Sequence, residues 1–145
     1  MKVAVLRETL PNESRVGLVP DGVKFLKKKE IEVVVEKDAG LAAGFLDSAY
    51  EAQGASIAPD AAATVAGADI VLKATKVDGV YSADPEKDDQ AEFLKELGYD
   101  RVIESKLGVM DANAIVLCRD QGMPIRVFNV FGEGNLGRLI NGEAI

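Results

Sequence analysis

Short apolar runs separated by amphipathic stretches recur along this chain. The run Ile70-Val71-Leu72 contains no polar residue, which is typical of a strand buried between parallel neighbours. Other runs are rich in β-branched residues, which favour strands. Together the runs predict strands near residues 2–7, 31–36, 55–58, 69–74 and 125–130.

The stretches between these runs predict helices. Apolar residues at helical spacing follow Asp21, which can cap a first turn, and continue to about Lys29. Residues 47–53 predict a second helix, which stops at Gly54. Further short helices are predicted over 60–66, after Asp100, from Asp111 to Gly122, and over 135–140.

The alternation of strands and helices favours βαβ units and a parallel sheet. We expect an α/β fold of three layers with helices on both faces of the sheet, in the flavodoxin-like or Rossmann-like order 2-1-3-4-5. A length of 145 residues predicts one domain, 1–145. Within segment 76–100, residues 93–99 are compatible with either a short strand or a helical turn. We expect this segment to be mobile or to supply a dimer contact.

Composition and charge narrow the range of partners. The net charge is −7 and neither half offers a basic face, so nucleic acid and anionic membranes are excluded as expected partners. Apolar runs of only a few residues predict no membrane span. The single Cys118 lies in an apolar stretch, and no histidine is present to activate it, so a buried thiol is expected rather than a nucleophile. These features favour a reducing, cytoplasmic setting.

Several separated motifs in the first half agree in order and spacing with one family. They are R-E-T-L-P-N-E-S-R-V at 7–16, Pro20, V-V-V-E-K-D-A-G-L-A-A-G-F at 33–45, Tyr50 and A-D-I-V-L-K at 68–73. This half resembles the amino-terminal domain of alanine dehydrogenase and of the nicotinamide nucleotide transhydrogenase alpha subunit. The resemblance implies that Arg15 and Lys73 hold the carboxylate and carbonyl of a keto acid.

The chain also departs from that family. Leu6-Arg7 stands where the family usually has Pro-Lys, and the chain contains no counterpart of the family's catalytic histidine. Carbonyl reduction requires an acid near the oxygen and a bound nicotinamide. For Arg15, a role in bracing its loop is therefore the alternative to a role as a carboxylate ligand.

The second half resembles bacterial uridylate kinase, of the amino acid kinase superfamily. The motifs are V-L-K-A-T-K-V-D-G-V-Y-S-A-D-P at 71–85, L-G-V-M-D-A-N-A at 107–114 and M-P-I-R-V-F-N at 123–129. The resemblance implies that Thr75, Tyr81 and Asp84 contact ATP. In that family the glycine-rich phosphate loop lies upstream of this region, where this chain carries the dehydrogenase-like half instead.

A G-x-G-x-x-G sequence at 132–137 follows a predicted strand and opens a predicted helix, as a dinucleotide fingerprint does. No acidic residue stands about 20 positions further on to bind a ribose. The glycines also coincide with the helix-opening region of the kinase resemblance. Anion binding at this helix start is an alternative to nicotinamide binding, which we do not expect here.

These observations predict a chimeric α/β domain, artificial or recombined, in which residues 1–73 join residues 74–145 within the strand at V-L-K. We expect no complete active site, no catalytic residue, no metal site and no required cofactor. A module that binds ATP weakly is one alternative, and residual uridylate phosphorylation or keto-acid reduction is another. A natural gene fusion with a different role and a homodimer also stay open.

Overall fold

A mainly parallel β-sheet forms the centre of the structure, a computed structural model that describes residues 1–143. The last two residues of the kinase-like segment, 144–145, lie outside the described part. The strands are β1 (Lys2–Val5), β2 (Glu32–Glu36), β3 (Ser56–Ala58), β4 (Ile70–Thr75), β5 (Val80–Tyr81), β6 (Phe93–Leu94) and β7 (Ile125–Asn129). The α-helices are α1 (Pro20–Lys27), α2 (Asp47–Ala52), α3 (Ala61–Val65), α4 (Tyr99–Glu104), α5 (Ala112–Asp120) and α6 (Asn135–Ile140), and a 3-10 turn covers Leu41–Ala43.

Five strands form the main sheet in the order β3-β2-β1-β4-β7, and every neighbouring pair is parallel. In the numbering of the five predicted strands this order is 3-2-1-4-5, which corrects the predicted 2-1-3-4-5 and matches the start of the Rossmann order. Val3, Ala4 and Val5 are fully buried, as a central strand requires. β3 carries the exposed Ser56 and lies at an edge.

Helices cover both faces of the sheet, so the predicted three-layer α/β class is confirmed. The first core contains Val3, Val5 and Leu72, with side chains from α1, α2 and α6. The second contains Ala4 and Val71, with side chains from α3, α4 and α5. Each core therefore joins residues from the dehydrogenase-like and the kinase-like segments.

Of the three aspartates Asp21, Asp100 and Asp111, which stand at predicted helix starts, one caps its helix and two do not. Asp111 caps α5 by accepting a hydrogen bond from the Ala114 amide at 3.0 Å. Asp21 and Asp100 make no such cap, because α1 begins after Val19 with Pro20 in its first turn and α4 begins after Gly98. Both aspartates instead lie in the first turn, where their negative charge interacts favourably with the positive end of the helix dipole.

Segment 76–100 contains a small antiparallel ladder beside the main sheet. Val80 pairs with Leu94 and Tyr81 with Phe93. Residues 93–99 therefore begin as a strand, and Tyr99 opens α4. Whether this segment is mobile or forms a dimer contact stays a prediction.

The single cysteine lies where its sequence context predicts. Cys118 is fully buried in the second core and has no disulfide partner. Burial raises the pKa of its thiol to about 11, and nearby Asp111 adds to that effect. The predicted buried thiol is confirmed.

Candidate functional site

A charged cavity of about 220 Å³ lies beyond the carboxyl ends of β1 and β2, which is where parallel α/β sheets bind ligands. We call it the carboxyl-edge cleft. Two arginines face three carboxylates across it, so its lining carries no excess of positive charge. The lining consists of Arg7, Glu8, Glu13, Arg15, Asp38, Ala39, Leu41 and Ala42.

The predicted keto-acid ligand Lys73 forms an internal ion pair instead of lining this cleft. Its ammonium lies 2.5 Å from Glu8 Oε1, and the two side chains are only 5% and 8% exposed. Lys73 belongs to β4, whereas Glu8 follows β1, the neighbouring strand. The pair therefore fixes the loop after β1 onto the sheet, and Glu8 stands between Lys73 and the cavity.

The second carboxyl oxygen of Glu8 is also buried. Oε2 has no hydrogen-bond partner among the described residues. Burial raises the pKa of the Glu8 carboxyl, although the hydrogen bond and charge of Lys73 act in the opposite direction. Desolvation thus outweighs the ion pair, and Glu8 accepts a proton more readily than an exposed glutamate does.

Arg15, the other predicted keto-acid ligand, lines the cleft but is held by Glu13. Its Nε donates to Glu13 Oε1 at 2.8 Å, and its terminal nitrogen lies 2.5 Å from Oε2. The Arg15 amide also donates to Oε1 at 2.9 Å. This bidentate contact lowers the pKa of the Glu13 carboxyl to about 2. The arrangement is that of a brace within the 13–15 loop.

Two contacts fix the next residues of this loop, Gly17 and Leu18, one through a helix and one through the sheet. The Tyr50 hydroxyl donates to the Leu18 carbonyl at 3.0 Å, and burial raises the pKa of this phenol to about 12. Gly17 passes so close to β4 that a Cβ atom there would lie 2.6 Å from the Leu72 carbonyl oxygen. The loop that presents Glu8, Glu13 and Arg15 is therefore tied to both α2 and β4.

Sequence reasoning identified the two cations but missed their partners. Glu8 and Glu13 both lie in the motif at 7–16, so their position in that motif was the available signal. Glu36 was also missed: it is buried at the end of β2 and accepts a hydrogen bond from the Arg7 amide at 2.9 Å. Within residues 1–143 no three His, Cys, Asp or Glu side chains group as metal ligands would.

The predicted nucleotide ligands Thr75, Tyr81 and Asp84 lie along the chain that leaves β4. Thr75 is the last residue of that strand, and its carbonyl accepts a hydrogen bond from the Val130 amide at 2.9 Å. The Tyr81 ring meets the edge of Phe93 with 5.3 Å between centroids. Asp84 is exposed and pairs with Lys87 at 2.8 Å. None of the three lines the carboxyl-edge cleft or a second cavity, of about 630 Å³, in the described part of the chain.

The glycine-rich loop at 132–137 is occupied by its own side chain. Asn135 Nδ2 donates to the Asn129 carbonyl at 3.0 Å, and a Cβ atom at Gly132 would collide with the Asn135 amide. Helix α6, which follows this loop, spans only six residues.

Among the described residues, no helix is both long enough and apolar enough to cross a membrane.

Comparison with known proteins supports the first resemblance. The family model for the alanine dehydrogenase/PNT N-terminal domain matches residues 4–96, which extends past the predicted boundary at residue 73. The matched range contains the whole carboxyl-edge cleft and Lys73. It also contains the ladder of β5 and β6.

Curated relatives support the second resemblance. The uridylate kinase of Methylococcus capsulatus is 57% identical over 79 residues, 54% of this chain and 33% of that protein. The uridylate kinase of Pseudomonas aeruginosa is 61% identical over 77 residues, 53% of this chain and 31% of that protein. The chain thus spans about a third of the length of these curated relatives.

A solved structure supports the fold across almost the whole chain. UMP kinase from Bacillus anthracis superposes with a TM-score of 0.54 at 24% identity, covering 99% of this chain and 55% of that one.

The match to the dehydrogenase family and the match to the curated kinases overlap. Only 52 residues lie outside 4–96, whereas 79 residues align with the kinase of Methylococcus capsulatus, so the two matches share residues. The chain is a composite of segments similar to two different families.

Proposed function

The chain belongs to the alanine dehydrogenase/PNT N-terminal domain family, and from this premise we propose that it is a composite α/β domain with no complete active site and no catalytic activity. The observation that carries the proposal is the pairing of the two cations to which the resemblance assigns keto-acid roles. Lys73 is paired with Glu8, and Arg15 is paired with Glu13. A keto acid would have to displace a carboxylate of the chain at both positions, and one of those carboxylates is buried.

The supply of acids also supports the proposal. Reduction of a carbonyl needs a proton donor near the oxygen, with a pKa near the working pH. The sequence has no histidine, and the phenols of Tyr50 and Tyr99 have pKa values raised to about 12 by burial. Glu8 is the acid at the cleft with a raised pKa, but one of its oxygens is bound by Lys73.

A direct test measures both parental reactions with purified chain at high concentration. Pyruvate with reduced nicotinamide cofactor tests keto-acid reduction, and uridylate with ATP and Mg²⁺ tests phosphoryl transfer. We expect both rates to equal those of buffer alone. Reduction that disappears in the Arg15→Met variant would overturn the proposal, and so would phosphorylation that disappears in Asp84→Asn.

Weak ATP binding through Thr75, Tyr81 and Asp84 is the second candidate. The observation in its favour is the aromatic pair Tyr81 and Phe93, in which the Tyr81 ring is partly exposed and stands three positions before Asp84 in the chain. Base–aromatic stacking contributes about 1–3 kcal/mol per base. ATP added to millimolar concentration should shift the amide resonances of residues 75–84, and Tyr81→Phe should keep the effect that Tyr81→Ala removes. No shift at that concentration would exclude this candidate.

We also propose that residues 1–145 fold as a single domain, joined within 71–73 by recombination or engineering. The support is that β4 pairs with β1 on one side and with β7 on the other. Urea unfolding should then show one transition, with amides of β1 and β7 losing protection together.

The lone buried thiol of Cys118 supports a reducing, cytoplasmic setting. Sedimentation would distinguish a monomer from a homodimer formed through 76–100.

A further inference from the structure

A second cavity, of about 630 Å³, runs beside the open edge of the main sheet. Three consecutive residues of β7, Ile125, Arg126 and Val127, line it. β7 is the last strand of the sheet on that side, and among the described residues no other strand pairs with that edge. We call this cavity the edge slot. It is the space in which the sheet would continue.

The backbone of β7 offers hydrogen-bonding groups to the edge slot. Pro124 and Val130 bond to β4 through the Val71 amide and the Thr75 carbonyl. Because backbone groups alternate between the two neighbours of a parallel strand, the odd-numbered residues of β7 face away from β4. The Asn129 carbonyl, which faces this way, accepts from Asn135. The N–H and C=O of Val127 are then directed into the slot.

The walls of the edge slot come from both helical layers. Val102 and Ile115 belong to the second core, and Leu139 belongs to the first. Phe93 and Leu94 of β6 line it as well. An element placed here would meet apolar side chains above and below, as a strand buried on both faces does.

The charged residues that line the edge slot are more acidic than basic, which bears on the charge of any ligand that binds there. Asp78, Glu96 and Glu143 outnumber Lys95 and Arg126 in its lining, and the whole chain carries a net charge of −7. Such a field favours cationic partners and disfavours anionic ones.

We propose that the edge slot binds one extended peptide segment, about five apolar residues with basic flanks, which adds to β7 as a sixth strand. The length follows from β7 itself, which spans five residues. Backbone hydrogen bonds to Val127 supply the register, and apolar side chains enter both layers. Basic flanking residues meet the acidic side chains at the mouth.

The test uses a labelled peptide in which two lysines flank Val-Ile-Val-Ile-Val on each side, with binding followed by anisotropy and amide shifts. We expect binding at least tenfold tighter than that of the glutamate-flanked peptide at low salt. Methylation of alternate backbone nitrogens on the peptide should weaken binding at least tenfold, because it removes strand hydrogen bonds. The largest shifts should occur at 125–127.

Charge-reversal variants at exposed positions provide the matched control. Glu96→Lys in the slot lining should weaken binding of the lysine-flanked peptide, whereas Glu104→Lys on α4, which lies outside the lining, should weaken it much less. Equal losses would overturn the proposal, as would unchanged binding of the methylated peptide. So would sedimentation showing that the chain pairs with a second copy and thereby protects the Val127 amide.

Discussion

The Glu8 carboxylate meets the Lys73 ammonium across 2.5 Å, which joins the loop after β1 to the middle of β4. Both side chains are more than nine-tenths buried, so water screens the pair little. Removing two charges from water is unfavourable, and for Glu8 this desolvation outweighs the attraction, as its raised pKa indicates. The pair therefore fixes geometry more than it adds stability.

Breaking this pair on one side should destabilise the fold strongly. Lys73→Met leaves a buried carboxylate without its partner, and we expect the free energy of unfolding to fall by about 3 kcal/mol. The double variant Glu8→Gln with Lys73→Met removes both charges and should recover most of that loss. Urea unfolding of the two single variants and the double variant measures the coupling. Losses that simply add would contradict the buried pair.

Acid should weaken the fold through Glu13. Its pKa is lowered from 4.5 to about 2, so the unfolded chain binds its proton more readily than the folded chain does. The stabilisation is complete above about pH 4.5 and is lost as the pH falls toward 2. Unfolding measured between pH 6 and 2 should show a shallower decline for Glu13→Gln than for the unaltered chain. Glu32→Gln, at an exposed glutamate of β2, is the control and should keep the full slope.

A single methyl group at Gly17 should disrupt the contact between the loop and β4. The added Cβ would lie 2.6 Å from the Leu72 carbonyl oxygen, which belongs to the sheet and moves only with it. We expect Gly17→Ala to lower the free energy of unfolding by about 1–3 kcal/mol. Gly108→Ala is the matched control, because no atom lies within 4 Å of its added Cβ. Equal stability of the two variants would contradict the close approach.

The buried hydroxyl of Tyr50 should contribute to stability by satisfying the Leu18 carbonyl. Tyr50→Phe keeps the ring but leaves that carbonyl without its donor, at an expected loss of about 1–3 kcal/mol. Tyr81→Phe removes a hydroxyl from a partly exposed ring and should change stability little. Thermal unfolding of both variants makes the comparison, and an unchanged melting temperature for Tyr50→Phe would contradict the role of this bond.

The positions of the five main strands could be predicted because each contains apolar or β-branched residues between segments with helix or turn signals. Their order could not, because it depends on which distant strands pair. Val3 pairs both with Val33 and with Ile70, and neither contact leaves a local signal. The ladder of β5 and β6 has strands of two residues, too short for any periodicity to show. The start of α1 was also predicted wrongly: the helix begins at Pro20, and Asp21 lies inside its first turn.

The candidate site was predictable only in part. The resemblance pointed to Arg15 and Lys73, and the structure places Arg15 in the cleft. The ion pair of Lys73 with Glu8 spans 65 positions of the chain and depends on the adjacency of β1 and β4, which the predicted order did not contain. The raised pKa of Glu8 could not be predicted either, because it results from burial in the folded structure and not from the residue type.

The shared strand β4 also bears on how such a chain can be assembled. Its two flanks are bound by peptide groups, whose hydrogen bonds are alike whatever side chains the neighbours carry. A splice placed within such a strand asks for side-chain compatibility only above and below the sheet, where Val71 and Leu72 enter opposite interiors. Central strands of parallel sheets are accordingly natural exchange points, at which half of one protein can be swapped for half of another.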